Sequence, residues 1–178
     1  MGGRRILDRV VDALERATGD PPLLIANAPD AAAWRPGLTV VADSYPGQAS
    51  LVGLLTAVEA AAPVLCVAWD MPFVPPALLS DLAARLVDAD VAIPESAPHR
   101  AVEPLCAGYG PACAPAIRAA LGRGDARAVA FHAAVRVARL PRAAVLQYGD
   151  PAVLFFNVNT LDDLTRAEAL CRSRDSLQ

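Results

Sequence analysis

A chain of 178 residues is long enough for one compact domain with a full core and short for two. Hydrophobic residues make up 54% and charged residues 20%, which excludes a disordered chain, and no apolar run reaches the roughly 18 residues of a helical membrane span. The net charge of −3 with scattered arginines leaves no footprint for nucleic acid or an anionic membrane, and the charged, helix-periodic N-terminus does not read as a signal peptide, so the cytoplasm is the expected location.

Hydrophobic spacing predicts a first helix from about Arg4 to Ala17, with Ile6, Leu7, Val10, Val11 and Leu14 on one face. "PPLLIANAPD" reads as a short strand ending near Asn27, and "GLTVVADS" as a second ending near Asp43. "YPGQAS" is turn chemistry, "LVGLLTAVEAAA" a helix, and "PVLCVAW" a strand that feeds Asp70. "VPPALLSDLAARLVDA" is a helix with proline in its first turn, where the missing N–H costs nothing. Strands follow at "DVAIPES" and "AVEPLCAGY", then a helix at "GPACAPAIRAALGRG", a short helix at "DARAVAFHAA" and a strand at "VRVARLP". "AVLFFNVNT" reads as strand into turn, and "TLDDLTRAEAL" as a helix with Thr160 as N-cap and Asp163 three residues on.

The strands are continuous apolar runs rather than alternating ones, which suits strands covered on both faces. The expected architecture is therefore α/β: one open, mostly parallel sheet with helices on both faces. All 16 basic residues are arginine, so no lysine can do chemistry here. Cys66 and Cys106 lie in apolar runs and read as buried small hydrophobes; Cys113 and Cys171 complete a set without metal-ligand spacing, and no disulfide is expected.

In open parallel sheets ligands bind beyond the carboxyl ends of the strands. Asp70 ends an apolar strand and Pro72 fixes the exit. A carboxylate so placed suits Mg²⁺, which takes hard oxygen ligands and usually only one or two carboxylates; it equally suits capping of the helix that follows. Asp43 ends another strand and reads either as a site residue or as a turn initiator, and Asn27 ends a third. Asn157 and Asn159, two apart on a strand, would point the same way, toward a ligand or simply as strand terminators. His99 in a polar loop and His132 in an apolar stretch have no evident partners. No nucleophile elbow, Walker loop or G-x-G-x-x-G occurs.

Taken together, these pieces resemble the molybdenum cofactor guanylyltransferase family, within the nucleotidyltransferase fold group of Rossmann-like type. "GGRRILDRVVDAL" is similar to the family's first helix, and "VVADSYPGQASLVGLLTAV" to its strand, Asp and Gly-Pro-Leu-Ala-Gly-Leu-Leu segment, with Ala49 and Ser50 where the family has Gly-Pro. "VLCVAWDMPFVPPALL" matches its acidic strand end, "EPLCAGY" its next strand, and "FFNVNTLDDL" its Asn-Val-Asn-Thr ending. The resemblance implies transfer of GMP from GTP to the phosphate of Mo-molybdopterin with release of pyrophosphate, Mg²⁺ as cofactor, Asp70 as the catalytic metal ligand and Asn159 as a second one. It places Asn157 near the pterin and Asn27, Asp43, Gly53 and Asp70 near the nucleotide. The family opens with a strand and a loop of the form Leu-Ala-Gly-Gly-x-x-x-Arg-Met-Gly-x-Asp-Lys. Met1-Gly2-Gly3 resembles the tail of that segment, so residues 1–178 are expected to form a single domain with the first strand and phosphate loop missing. The alternatives are a CTP-using molybdopterin cytidylyltransferase, and a non-catalytic homologue binding a nucleotide, a pterin or a protein. A homodimer or protein partner would then cover the exposed sheet edge.

Overall fold

The computed structural model describes residues 1–45, 49–97 and 101–175. In chain order they run α1 (Ile6–Thr18), β1 (Leu24–Ile25), α2 (Ala31–Trp34), β2 (Val40–Val41), α3 (Ser50–Ala61), β3 (Val64–Val67), α4 (Pro76–Arg85) and β4 (Val91–Ala97). Then come β5 (Ala101–Val102), β6 (Cys106–Tyr109), α5 (Cys113–Gly122), a 3-10 turn (His132–Ala134), β7 (Val137–Leu140), α6 (Arg142–Val145), α7 (Pro151–Leu154) and α8 (Leu161–Asp175).

The larger sheet has the order β3-β6-β4, with β7 along the other edge of β4 and β5 folded back on its far end. β6 runs antiparallel to both β3 and β4, and β7 runs parallel to β4. β3, β4 and β7 therefore point one way, as a mostly parallel sheet requires, and β6 is threaded against them. β1 and β2 make a separate parallel pair, Leu24 opposite Val40 and Ile25 opposite Val41; among the described residues no ladder joins this pair to the larger sheet.

The continuous apolar runs follow from burial on two sides. In β4, Ala92 joins Leu78, Leu79, Leu82, Leu140 and Leu154 on one face, while Val91 and Ile93 join Leu51, Leu55, Ile117 and Phe131 on the other. Leu78, Leu79 and Leu82 are fully buried. At about 2 kcal/mol each, they anchor α4 directly behind the strand end that carries Asp70. Gly108 on β6 lets Leu86 pack close, since a Cβ there would stand 2.9 Å from Leu86 Cδ1 and the leucine side chain would have to shift. A third cluster of Phe73, Val158, Ala167 and Cys171 ties α8 to the same end of the sheet.

Three sequence expectations are corrected. "AVLFFNVNT" is not a strand: Asp150 caps α7 by accepting the Ala152 N–H at 3.0 Å and Pro151 opens the helix, so local capping overrides the β propensity of Val153, Phe155 and Phe156. "AVEPLCAGY" is two strands, broken at 103–105 where Pro104 has no N–H to give a ladder. "DARAVAFHAA" holds turns and the 3-10 turn in place of an α-helix, and α2 and α6 are short helices not anticipated. The capped last helix is present: Asp163 N–H donates to Thr160 Oγ1 at 3.1 Å, and Asp163 Oδ2 accepts the Thr160 N–H at 3.1 Å.

Candidate active site

A cleft of about 850 Å³ runs between β1 and β3, with α1 contributing Leu7, Val10 and Leu14 and α3 contributing Gly53, Leu54 and Ala57. Its greater part is apolar and follows the strands; the polar chemistry gathers at one end. Ala68 N–H donates to Leu105 at 2.7 Å, so strand alternation turns the backbone of Leu65 and Val67 away from β6 and toward the cleft. Leu24 and Ala26 likewise donate to Thr39 and Val41 of the β2 segment, which leaves Ile25 facing the cleft from the other side.

Where β3 ends, the Met71 N–H returns to the Ala68 carbonyl at 3.1 Å and closes a turn whose two corners are Trp69 and Asp70. Pro72 and the buried Met71 and Phe73 hold the exit. The Asp70 carbonyl accepts the Val158 N–H at 3.0 Å, and this bond brings two segments 88 positions apart in sequence to one place. Asp70 and Asn157 both line the cleft there. Asp70 Oδ1 is buried and receives no hydrogen bond. Burial raises the pKa of this carboxyl, partly offset by its own backbone amide. The helix-capping alternative for Asp70 fails, because α4 starts at Pro76 behind Pro75 as its N-cap, with no side-chain cap.

On the opposite wall the acid is fully engaged. Asn27 Nδ2 donates to Asp43 Oδ2 at 2.7 Å, the Asp43 N–H returns to Asn27 Oδ1 at 2.9 Å, and Thr56 Oγ1 donates to Asp43 Oδ1 at 3.1 Å. Gly53 is one turn earlier on α3, and a Cβ there would meet Asp43 Oδ1 at 3.8 Å, an ordinary contact.

Of the residues singled out from sequence, Asn27, Asp43, Gly53, Asp70 and Asn157 line one cleft. Asn159 does not stand in that lining; its N–H goes to Asp163 Oδ2 at 3.3 Å, beside the start of α8. No strand forms there, although Asn157 and Asn159 are both exposed on either side of the buried Val158. His99 lies outside the described residues, and His132 lines a separate cavity of about 550 Å³, where burial lowers its pKa and favours the neutral ring.

Two lining residues were not anticipated. Trp69 had its signal in plain view, an indole directly before the strand-end acid. Glu103 did not: it precedes β6, the reversed strand, whose amino end lies where the other strands have their carboxyl ends, so a rule about carboxyl ends passes over it. Burial raises the Glu103 pKa, against a hydrogen bond from Ser96. The thiol of Cys66, also in the lining, is pushed up to about 12 by burial and is neutral at neutral pH, so it offers no thiolate nucleophile.

The donor set can be tested against a divalent cation. A buried carboxylate oxygen without a partner is a hard ligand awaiting charge, and an exposed amide at Asn157 stands in the same lining. The ionisable groups of the lining among the described residues are Asp20, Asp43, Asp70, Glu103 and Cys66; the carboxylates repel a polyphosphate unless a cation enters with it. Asp70 and Asn157 are donors of the kind Mg²⁺ takes, and Asn159 lies outside this lining.

The architecture is that of a nucleotidyltransferase. It superimposes on the 2-C-methyl-D-erythritol 4-phosphate cytidylyltransferase of Thermus thermophilus with a TM-score of 0.66 over 97% of this chain and 91% of that one, at 23% identity, a likeness of fold. The molybdopterin-guanine dinucleotide biosynthesis protein A of Archaeoglobus fulgidus is nearer, with a TM-score of 0.79 and 26% identity over 96% of this chain and 87% of that one. Residues 1–140 match the MobA-like NTP transferase domain. The molybdenum cofactor guanylyltransferases of a Bradyrhizobium strain and of Desulfosudis oleivorans are 34% and 29% identical, covering 98% and 97% of this chain and 84% and 85% of their own lengths. The chain belongs to the molybdenum cofactor guanylyltransferase family.

Proposed function

We propose that this chain transfers GMP from GTP to the phosphate of Mo-molybdopterin, releasing pyrophosphate. The observation that carries the reading is the buried, unpartnered Asp70 oxygen beside Asn157 at the strand end of the cleft, in a chain of this family. A phosphate oxygen of the acceptor forms a bond to the α-phosphorus of GTP, and the bond from that phosphorus to the oxygen bridging to the β-phosphate breaks. The protein supplies alignment and charge balance in place of covalent chemistry.

Asp70 would hold Mg²⁺, which when bound neutralises phosphate charge and orients the α-phosphate. The turn of residues 68–71, pinned by Val158, keeps that carboxylate fixed, so little reorganisation accompanies the reaction. Asn157 orients the acceptor phosphate on the pterin side. Asn27, Asp43 and Gly53 form the nucleotide wall, where the Asn27–Asp43 pair fixes the spacing of the β1 and β2 ends. The fold and site suit a cytoplasmic enzyme, and among the described residues no helix is long and apolar enough to cross a membrane.

The test is Asp70→Asn in a transfer assay with GTP and the molybdopterin acceptor. Loss of about 100-fold or more in rate is expected, the scale seen when a preorganised electrostatic group is removed, together with loss of the thermal stabilisation that Mg²⁺ gives the unaltered protein. An undiminished rate would overturn the metal assignment. Competition by CTP as effective as that by GTP would overturn the choice of base.

A further inference from the structure

Trp69 is 58% exposed at the corner of the turn that presents Asp70, and it lines the same cleft as Asp70 and Asn157. Turn corners ordinarily take small or polar residues, and an indole there gains little from folding. Trp34 shows what the chain does with a structural indole: it is half-buried, and its Nε1 donates to Asp30 at 3.1 Å. Among the described residues no hydrogen bond from the Trp69 Nε1–H is seen. The backbone beneath Trp69 is nonetheless held from both sides, by the Met71-to-Ala68 bond and the Val158-to-Asp70 bond. A large flat apolar face on a fixed turn, beside the carboxylate proposed to hold Mg²⁺, is the arrangement of a stacking surface. It has two side-chain torsions to immobilise and a π-face that any fused heterocycle can cover.

We propose that Trp69 is a positioning residue on which a fused heteroaromatic ring of one of the two substrates stacks. This rests on the transferase reading above. Both substrates carry such a ring, the purine of the nucleotide and the pterin of the acceptor. A phosphate or an aliphatic chain would draw little from an indole face, so the recognised chemistry is the flat ring.

The experiment compares unaltered protein, Trp69→Ala and Trp69→Phe by calorimetric titration with GTP–Mg²⁺ and, separately, with a pterin monophosphate, followed by steady-state transfer kinetics. Trp69→Ala is expected to raise the dissociation constant and KM of one of the two ligands by about 10-fold, with kcat largely kept; Trp69→Phe, which retains a ring, stays within about 3-fold. A rise confined to GTP assigns the purine, and one confined to the pterin assigns the acceptor. Binding by the unaltered protein with Trp69→Ala equally tight for both ligands overturns the role of Trp69 alone. Failure of the unaltered protein to bind either ligand overturns the transferase reading and the stacking surface with it.

Discussion

Two aspartates, one after β2 and one after β3, line the same cleft and have been given opposite surroundings. Both Asp43 oxygens accept hydrogen bonds, from Asn27 and Thr56, and its own amide is returned to Asn27. Asp70 keeps a buried oxygen without a donor, on a turn held by backbone bonds. An acid satisfied by its own protein is spent on structure; one that folding leaves desolvated and unpaired is destabilised until a cation arrives. The cleft therefore has a finished wall, which sets the spacing of β1, β2 and α3, and an unfinished one, which the proposed Mg²⁺ would complete.

The sharpest way to break this contrast is to neutralise Asp70. Beyond its effect on transfer, Asp70→Asn is expected to melt at a higher temperature than the unaltered protein in the absence of metal, because the amide carries no charge to desolvate. The sign follows from linkage. A carboxyl whose folded pKa is raised binds more protons folded than unfolded, so its unfavourable contribution grows as pH rises from the ordinary carboxylate range through the folded pKa. The stability advantage of Asp70→Asn should widen over that window and then level off, read from melts across pH with a chelator present. An advantage independent of pH would mean that the Asp70 carboxylate is not desolvated in solution.

Asp43→Ala probes the finished wall. It strips the acceptors from Asn27 and Thr56, of which Thr56 keeps the Val52 carbonyl at 3.1 Å, so a loss of about 1–2 kcal/mol is expected in urea unfolding. Mg²⁺ stabilisation should persist in this variant. Stability unchanged by Asp43→Ala would remove the structural role of the pair, and loss of the Mg²⁺ effect would merge the two walls into one site.

The same contrast marks what could be read from the sequence. Strand ends at Asn27, Asp43 and Asp70 were legible because apolar runs stop there, and the sheet brings all three to one cleft. The state of each acid was not legible, since the partners of Asp43 come from Asn27 and Thr56, 16 and 13 positions away. Asn157 and Asn159 show the limit from the other side. Period-two reasoning pairs them, but the Asp150 cap and Pro151 make a helix of the preceding segment, and of the two Asn157 stands in the cleft lining while Asn159 does not. Glu103 was hidden because only the reversed direction of β6 brings its amino end to the rim.

The separation of the two walls has a local signature in hydrogen exchange. Leu65 and Val67 direct their amides into the cleft, whereas Cys66, like Ala68, faces β6; Ile25 stands in the same relation to Leu24. Exchange should be faster at Leu65, Val67 and Ile25 than at Cys66 and Leu24 under native conditions. Equal protection along β3 would show that its cleft-facing edge is paired in solution and that the walls are joined.

The smallest effect expected comes from Gly53, and it separates folding from binding. Glycine inside α3 costs about 1 kcal/mol relative to alanine, and a methyl group there would make only ordinary contacts, with Asp43 Oδ1 at 3.8 Å and Ile25 Cγ2 at 3.9 Å. Gly53→Ala should therefore be more stable than the unaltered protein by up to about that amount. Gly53 lines the cleft on the proposed nucleotide wall, so the same methyl group occupies space a nucleotide would use, and GTP binding should weaken as stability rises. Both quantities rising together would show that the nucleotide does not approach α3 at this point. The wall would then be structural along its whole length, and nucleotide recognition would fall to the side that carries Trp69 and Asp70.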